Sequence, residues 1–346
     1  GMDPAIVLEK VNGIAKKSSP SNPVASNEGA ALGVYMGTAA LLGRDKFTIL
    51  TDPELESFGS WLEQLIAESS GKNGKGIIPV DIEPKVNPSD YGKDRAFIYI
   101  QTSGTQCDFT EQLMEAAHPV LTIKLNDLPD LFAEFYRWEI AISVACSLLE
   151  VNAFDQPNVQ DSKNRTVAKI NEYKEKGILT EPEALWEKDG VKVFYSLGEA
   201  DNETLKKELA AAENPASLLS KFLKIANFGE DYVAINAYLP RNGNMLHELQ
   251  SVREEILKQT TCATTLGFGP RFQHSTGQLH KGGANNGVFI QLVANSAQDA
   301  EIPNEGMTFA ILERAQALGD FEALMAVNRR AIRIDLGNQP PSILIQ

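Results

Sequence analysis

Short apolar runs alternate with helical stretches along most of this chain. KFTIL, GIIPVDI, RAFIYIQT and PVLTIKL predict four strands in the first half. VKVFYSL, DYVAINAYL, CATTLGFG and GVFIQLVAN predict four more in the second, and RAIRIDLG a last one at a sheet edge. GAALGVYMGTAALLG reads as a small-residue helix suited to close packing. After Asp52, read as an N-cap, and Pro53 at the first helical position, Leu55, Phe58, Trp61, Leu62, Leu65 and Ile66 recur at helical spacing. EQLMEAA, residues 128–149, ETLKKELAAA and ELQSVREEILKQ complete the helical set. Such alternation predicts an α/β fold: three layers, a mostly parallel sheet flanked by helices, with chemistry in the loops after strands. Residues 1–23 read as a linker-like extension with a short helix near 6–16. Residues 24–163 read as one α/β segment, and 164–346 as its continuation, packed with it as one unit. A weak boundary falls at 163–190, which is charged and strand-poor.

Charge and composition narrow the function. A formal net charge of -14 on 346 residues argues against non-specific nucleic-acid binding. An anionic substrate stays open, since that needs only local positive charge. No run reaches the length of a membrane helix, and GMDPAIVLEK lacks the features of a signal peptide, so a cytoplasmic protein is expected. Gly1 ahead of Met2 reads as a cloning remnant. Cys107, Cys146 and Cys262 are odd in number, scattered and without a C-x-x-C pair, which suits core thiols in a reducing compartment.

Three stretches carry candidate chemistry. In LIAESSGKNGKG, Glu68 closes a helix before a glycine turn. Alone this is a helix stop; functionally it holds a general base. In VNAFDQPNVQDSK, Phe154, Pro157 and Val159 are expected to pin a loop that aims Gln156 and Lys163 into one pocket, although a lone lysine is ordinarily solvated. FGPRFQHSTGQLHKGGANNG holds two of the four histidines. His274 and His280 are six apart with no Cys or acidic cluster, a poor zinc pattern, so no metal is expected. GGANNG could be a phosphate nest or a plain loop into the next strand. QTSGT, 101–105, is a weak sugar-phosphate signal, and His118 and His247 read as structural.

Together these stretches resemble glucose-6-phosphate isomerase. The segment from GAALGVYMG to AESSGK looks like the start of that family's second sugar-isomerase (SIS) domain, ending in the turn that carries its catalytic glutamate, which maps to Glu68. VNAFDQPNVQDSK is similar to the family's Gln-to-Lys signature, which maps to Gln156 and Lys163. EFYRWEIA, AFDQP and FGPRFQHSTGQLHKGG together look like the isomerase part of transaldolase/glucose-6-phosphate isomerase fusions.

The resemblance runs from about residue 22 to 337. It implies an SIS-like fold, interconversion of glucose 6-phosphate and fructose 6-phosphate, and no cofactor. It implies Glu68 as proton shuttle, His274 as ring-opening group and Lys163 beside the ring oxygen, with Gln156, Gln273 and Lys72 on the substrate. It also implies a homodimer. The alternatives are a non-catalytic sugar-phosphate module, or an isomerase of another sugar phosphate.

The sequence departs from the family in three ways. The signature's usual Gln-x-Gly-Val-Glu-x-Gly-Lys is here Gln-Pro-Asn-Val-Gln-Asp-Ser-Lys. The Gly-Gln-His…Gln-Leu motif expected between Glu68 and Gln156 is missing there. It is matched later by Gln273-His274 and Gln278-Leu279, so a rearranged order is expected. The first domain's phosphate loop and arginine are not found, so the chain reads as a C-terminal piece whose partners are an upstream transaldolase and first isomerase domain.

Overall fold

Every predicted strand forms, but the strands assemble into two sheets rather than one. The computed structural model describes residues 2–102, 107–196, 203–296 and 298–346. It divides into two units: residues 1–82, 87–156 and 282–284, and residues 83–86, 157–281 and 285–346. The α/β character, with mostly parallel sheets flanked by helices, holds in each.

The first unit runs α1 (Pro4–Lys17), α2 (Glu28–Leu41), β1 (Lys46–Thr51), α3 (Glu56–Ser70), β2 (Ile78–Asp81), β3 (Arg95–Gln101), α4 (Asp108–Glu115), β4 (Val120–Lys124) and α5 (Asp130–Leu149). Its strands are parallel in the order β2-β1-β3-β4. Phe47, Ile49, Leu62, Ile66, Ile98 and Trp138 share the core. Asp52 does not cap α3. A short 3-10 turn intervenes, and the carboxylate accepts instead from Tyr99 Oη at 2.5 Å and Thr102 N at 2.9 Å.

Helix α2 lies against α5 through Gly29, Gly33 and Gly37, spaced four apart so that they fall on one face. A Cβ at Gly33 would stand 2.3 Å from Ala141 O and 2.7 Å from Val144 Cβ. The small residues read in the sequence are therefore what lets the two backbones approach.

The second unit runs α6 (Pro157–Lys176), β5 (Trp186–Lys188), β6 (Val191–Ser196), α7 (Glu203–Ala210), α8 (Pro215–Leu223), β7 (Tyr232–Tyr238), α9 (Gly243–Thr260), β8 (Ala263–Phe268), α10 (Thr276–Gly282), β9 (Gly287–Val293), α11 (Phe309–Ala326) and β10 (Arg330–Asp335). The sheet order is β5-β6-β10-β9-β7-β8, with β10, β9, β7 and β8 parallel. RAIRIDLG is therefore an inner strand, not an edge. The antiparallel β5–β6 hairpin covers that side of β10, so Ala331, Ile332 and Ile334 are buried. The hairpin turns at Asp189-Gly190, both at positive φ, as a two-residue turn with matching twist requires.

The stretch expected to be a loop around Gln156 and Lys163 becomes helix at Pro157. Proline is preset for the first helical turn, and Val159, Ser162 and Thr166 form the buried stripe of an otherwise solvated helix. Phe154 pins nothing, being 86% exposed.

Two measurements test the first unit. Gly33→Ala should cost about 1–3 kcal/mol in urea unfolding, because backbone must move to admit the methyl. Gly13→Ala, on open α1 surface with nothing within 4 Å, should instead gain about 0.5–1 kcal/mol.

Glu134, 2% exposed in α5, has its carboxyl pushed up to about 7 by burial, against the opposing pull of Arg137. As pH rises from 4.5 to about 7, the unfolded chain ionises this group while the folded one keeps it protonated. Stability should therefore fall over that window. Relative to Glu134→Gln, the native chain should lose roughly 2 kcal/mol between about pH 5 and about pH 8. An equal pH slope in both proteins would refute this.

Candidate functional site

The first candidate stretch folds around an Asn-Gly turn. Asn73 and Gly74 both take positive φ, and Lys72 and Lys75 exchange backbone hydrogen bonds at 3.0 and 2.9 Å across them. Ser70 Oγ donates to Ile66 O at 2.7 Å and accepts from Ile77 N at 3.0 Å, fixing the path from α3 into β2. Glu68 sits half-buried in the last turn of α3, its Oε2 accepting from Gln64 Nε2 at 3.3 Å. This turn lies at the amino ends of β1 and β2, where Ile78 N meets Asp45 O. Chemistry was expected beyond the carboxyl ends. A helix that follows a strand returns the chain to the opposite edge, so the residue closing α3 cannot lie there.

Lys72 fastens the first stretch to the second. It is 2% exposed, and its Nζ donates to Ser69 O at 3.0 Å and Asn152 O at 2.6 Å, with Asp155 Oδ1 at 3.4 Å. The receiving segment is itself an Asx turn: Asn152 Oδ1 accepts from Phe154 N at 3.0 Å. Lys75 Nζ adds a bond to Leu149 O at 2.9 Å. Cys146 Sγ donates to Ser69 O at 3.4 Å, and burial pushes its thiol up to about 11, so it is a core thiol. The end of the third stretch, 282–284, also belongs to this unit, and Gly74 N donates to Gly282 O at 2.9 Å.

Within the second unit, the second and third stretches are joined by an amide clasp. Asn158 N donates to Gln278 Oε1 at 3.0 Å, and Gln278 Nε2 donates to Asn158 Oδ1 at 2.9 Å. Gln278 thus satisfies an N–H in the first turn of α6 that has no intrahelical partner. Asn158 stands where the resembled signature has glycine, and its side chain makes half of the clasp. Gln273 is buried, its Nε2 donating to Tyr238 Oη at 2.7 Å and Gln316 O at 3.1 Å. Arg329 takes the carbonyls of His280 and Lys281 at 2.8 Å each, closing α10.

Glu68, Lys72 and Gln156 lie in the first unit; Lys163, Gln273 and His274 lie in the second. Gln156, Lys163 and His274 are exposed. His280 is 2% exposed among Tyr232, Phe272 and Phe289, and burial, with Lys281 and Arg329 nearby, holds its imidazole well below the usual range. It is therefore a neutral core histidine. His118 is also structural: its Nε2 lies 2.9 Å from Pro88 O and its ring meets Tyr91 and Phe97. His247 is exposed on α9. Of QTSGT, Gln101 ends β3 and Thr102 bonds Asp52, while 103–105 lie outside the described residues. Among the described residues no cluster of three or more His, Cys, Asp or Glu could hold a metal, and no helix is long and apolar enough to cross a membrane.

The sequence reading singled out Gln156 and Lys163 but missed Asn158, and it used Gln278 only to match a motif. No local signal marks the two as partners, because they lie 120 residues apart.

No protein-family model matches the chain. Glucose-6-phosphate isomerase from Rubrobacter xylanophilus is 28% identical over a match covering 34% of this chain and 36% of that protein. The enzyme of the same name from Parabacteroides distasonis is 26% identical, over 45% of this chain and 44% of that protein. The chain therefore spans less than half the length of these curated relatives, and the similarity is distant. Among solved structures, a hypothetical protein from Thermus thermophilus overlaps at TM-score 0.30 and 13% identity, covering 98% of this chain and 85% of its own. The C-terminal domain of glucosamine-fructose-6-phosphate aminotransferase from Francisella tularensis overlaps at TM-score 0.24 and 9% identity, covering 98% and 91%. At such TM-scores neither overlap bears on the reading of this chain.

The clasp is directly testable. Gln278→Leu keeps the volume but leaves Asn158 N–H without its acceptor. It should cost about 1–3 kcal/mol and speed amide exchange in the first turn of α6, read by hydrogen–deuterium exchange.

Proposed function

We propose that this chain is the C-terminal part of a glucose-6-phosphate isomerase, of the kind fused to a transaldolase, and that it interconverts glucose 6-phosphate and fructose 6-phosphate. One observation supports this above the others. The three stretches that resemble the family's catalytic motifs are fastened to one another: first to second by Lys72, first to the tail of the third by Gly74–Gly282, and second to third by Asn158–Gln278. The distant similarity to two glucose-6-phosphate isomerases points the same way.

In this reading His274 moves the proton that opens the sugar ring, since an imidazole titrates near neutrality. Lys163 sets positive charge beside the ring oxygen. Glu68 then takes the proton from C2 and returns it to C1 through an enediol, and one carboxylate serves both half-reactions. The C2 hydroxyl becomes the ketone as the C1 carbonyl becomes a hydroxyl, so no redox cofactor is needed. Gln156 contacts the substrate. The donors of Lys72 and Gln273 are engaged inside the protein, which supports a positioning part for both rather than direct contact. The substrate phosphate contributes remote binding energy. The upstream transaldolase and first isomerase domain complete the enzyme, which works in the cytoplasm as a homodimer.

The test is a coupled assay with fructose 6-phosphate, reading glucose 6-phosphate, on the chain alone and with a first isomerase domain added. Turnover should appear in at least one arm. It should fall about 10²–10⁴-fold in Glu68→Gln and in His274→Ala, while Glu68→Gln still binds substrate. Absence of turnover in both arms, with binding retained, would favour a non-catalytic sugar-phosphate module. Turnover indifferent to Glu68 would overturn the residue assignment.

A further inference from the structure

In the second unit the strand order reverses at β7, with β8 on one side and β9 then β10 on the other. Ligands of open α/β sheets collect beyond the carboxyl ends of strands at such a reversal. A cleft of about 140 Å³ lies there, walled by Tyr238–Pro240 after β7, by Val293–Ser296 after β9 and by one face of α11. It is lined by none of the six candidate residues of the isomerase reading.

The charge of the cleft selects its occupant. The first amides of α11 are already engaged: Phe309 N donates to Ala300 O at 3.0 Å, Ala310 N to Asp299 Oδ1 at 3.0 Å and Ile311 N to Thr308 Oγ1 at 3.3 Å. The helix start therefore has little to offer an anion. Arg314, on the wall, is held by two carboxylates, Nε on Glu181 Oε1 at 2.6 Å and Nη2 on Asp335 Oδ2 at 2.5 Å. Glu181 is shared with Arg333, so these two guanidiniums and two carboxylates balance and leave Arg314 no charge to spare for an anion.

Glu313 is the other charged group on the wall. Among the described residues it has no ion-pair partner, and burial pushes its carboxyl above the usual range. A carboxylate partly removed from water is stabilised by any cation placed against it. Leu239, Val293, Ile311 and Ala317 supply an apolar wall, with Asn295 and Ser296 at its polar part.

We propose that this cleft binds a small organic cation, with its ammonium on Glu313 and its carbon skeleton on Leu239, Val293 and Ile311. A phosphate would meet the Glu313 carboxylate, a guanidinium already held by two carboxylates and helix amides already engaged, so the ligand class differs from the sugar phosphate of the isomerase reading and does not rest on it.

The experiment titrates n-butylammonium into the full chain and follows the amide resonances of Ala294, Asn295 and Ile311 by NMR. The expected result is a saturable shift confined to this cleft. Glu313→Gln, which keeps the shape, should weaken it at least about tenfold. Ala310→Leu should abolish it by filling the cleft while Glu313 stays in place. The neutral 1-butanol should bind at least about tenfold more weakly than the ammonium. The proposal falls if butylammonium gives no saturable shift, if butanol or Glu313→Gln matches the native affinity, or if inorganic phosphate shifts these amides instead.

Discussion

The buried ammonium of Lys72 is the interaction on which the candidate site depends. An ammonium only 2% exposed is tolerable only where carbonyl or carboxylate oxygens surround it. Ser69 O, Asn152 O and Asp155 supply them, so the end of α3 and the turn after α5 must keep fixed places. The Asn73-Gly74 turn beside it needs positive φ at both residues, and it presents Gly74 N to Gly282 O. Backbone geometry and one buried charge thus hold Glu68 at a defined point of the first sheet. The carboxylate of Glu68, the side chain proposed to move the proton, accepts from Gln64 Nε2 at 3.3 Å.

The clasp in the second unit follows the same economy. A glycine at 158, as in the resembled signature, would remove the side-chain oxygen to which Gln278 Nε2 donates. Asparagine supplies both a backbone N–H and a side-chain oxygen to one amide. The departure from the signature therefore reads as a compensated exchange, in which torsional freedom is replaced by a specific partner. Pro157 adds rigidity from the other side, starting α6 one residue after Gln156.

Strands were the most legible part of the sequence, because runs such as RAFIYIQ and YVAINAY are buried along nearly their whole length. What periodicity could not convey was partnership. RAIRID has the composition of an inner strand, yet its terminal place in the chain suggested an edge. The three-residue β5 that protects its flank is too short to register as an apolar run. The Asp189-Gly190 dipeptide was the available signal for that hairpin. The division into two sheets was invisible for the same reason, since apolar runs do not say which neighbour they pair with. In the site, Glu68 and Gln156 stood out by their motifs. Lys72 could be named but not assigned its partners Asn152 and Asp155, which lie about eighty residues away.

The edges of the first sheet also bear on where the phosphate of the proposed substrate could be held. At its strand-order reversal, between β1 and β3, Asp52 accepts from Tyr99 and Thr102, and Glu54 accepts from the same Thr102 hydroxyl at 2.9 Å. Burial, together with the bond to Asp52, raises Tyr99 well above the ordinary phenol range, so it stays a neutral donor to that carboxylate. An anion placed against this pair would meet two like charges, and Thr102 is already shared between them. Asp52 and Glu54 are therefore a poor place for the phosphate of the proposed substrate. The opposite edge carries Lys72 and Lys75, but their ammonium groups are drawn to Asn152 O and Leu149 O. A sugar phosphate held there would have to compete with the bonds that keep the Glu68 turn in place. In the proposed isomerase reading, a phosphate held by another domain of the enzyme would avoid both conflicts.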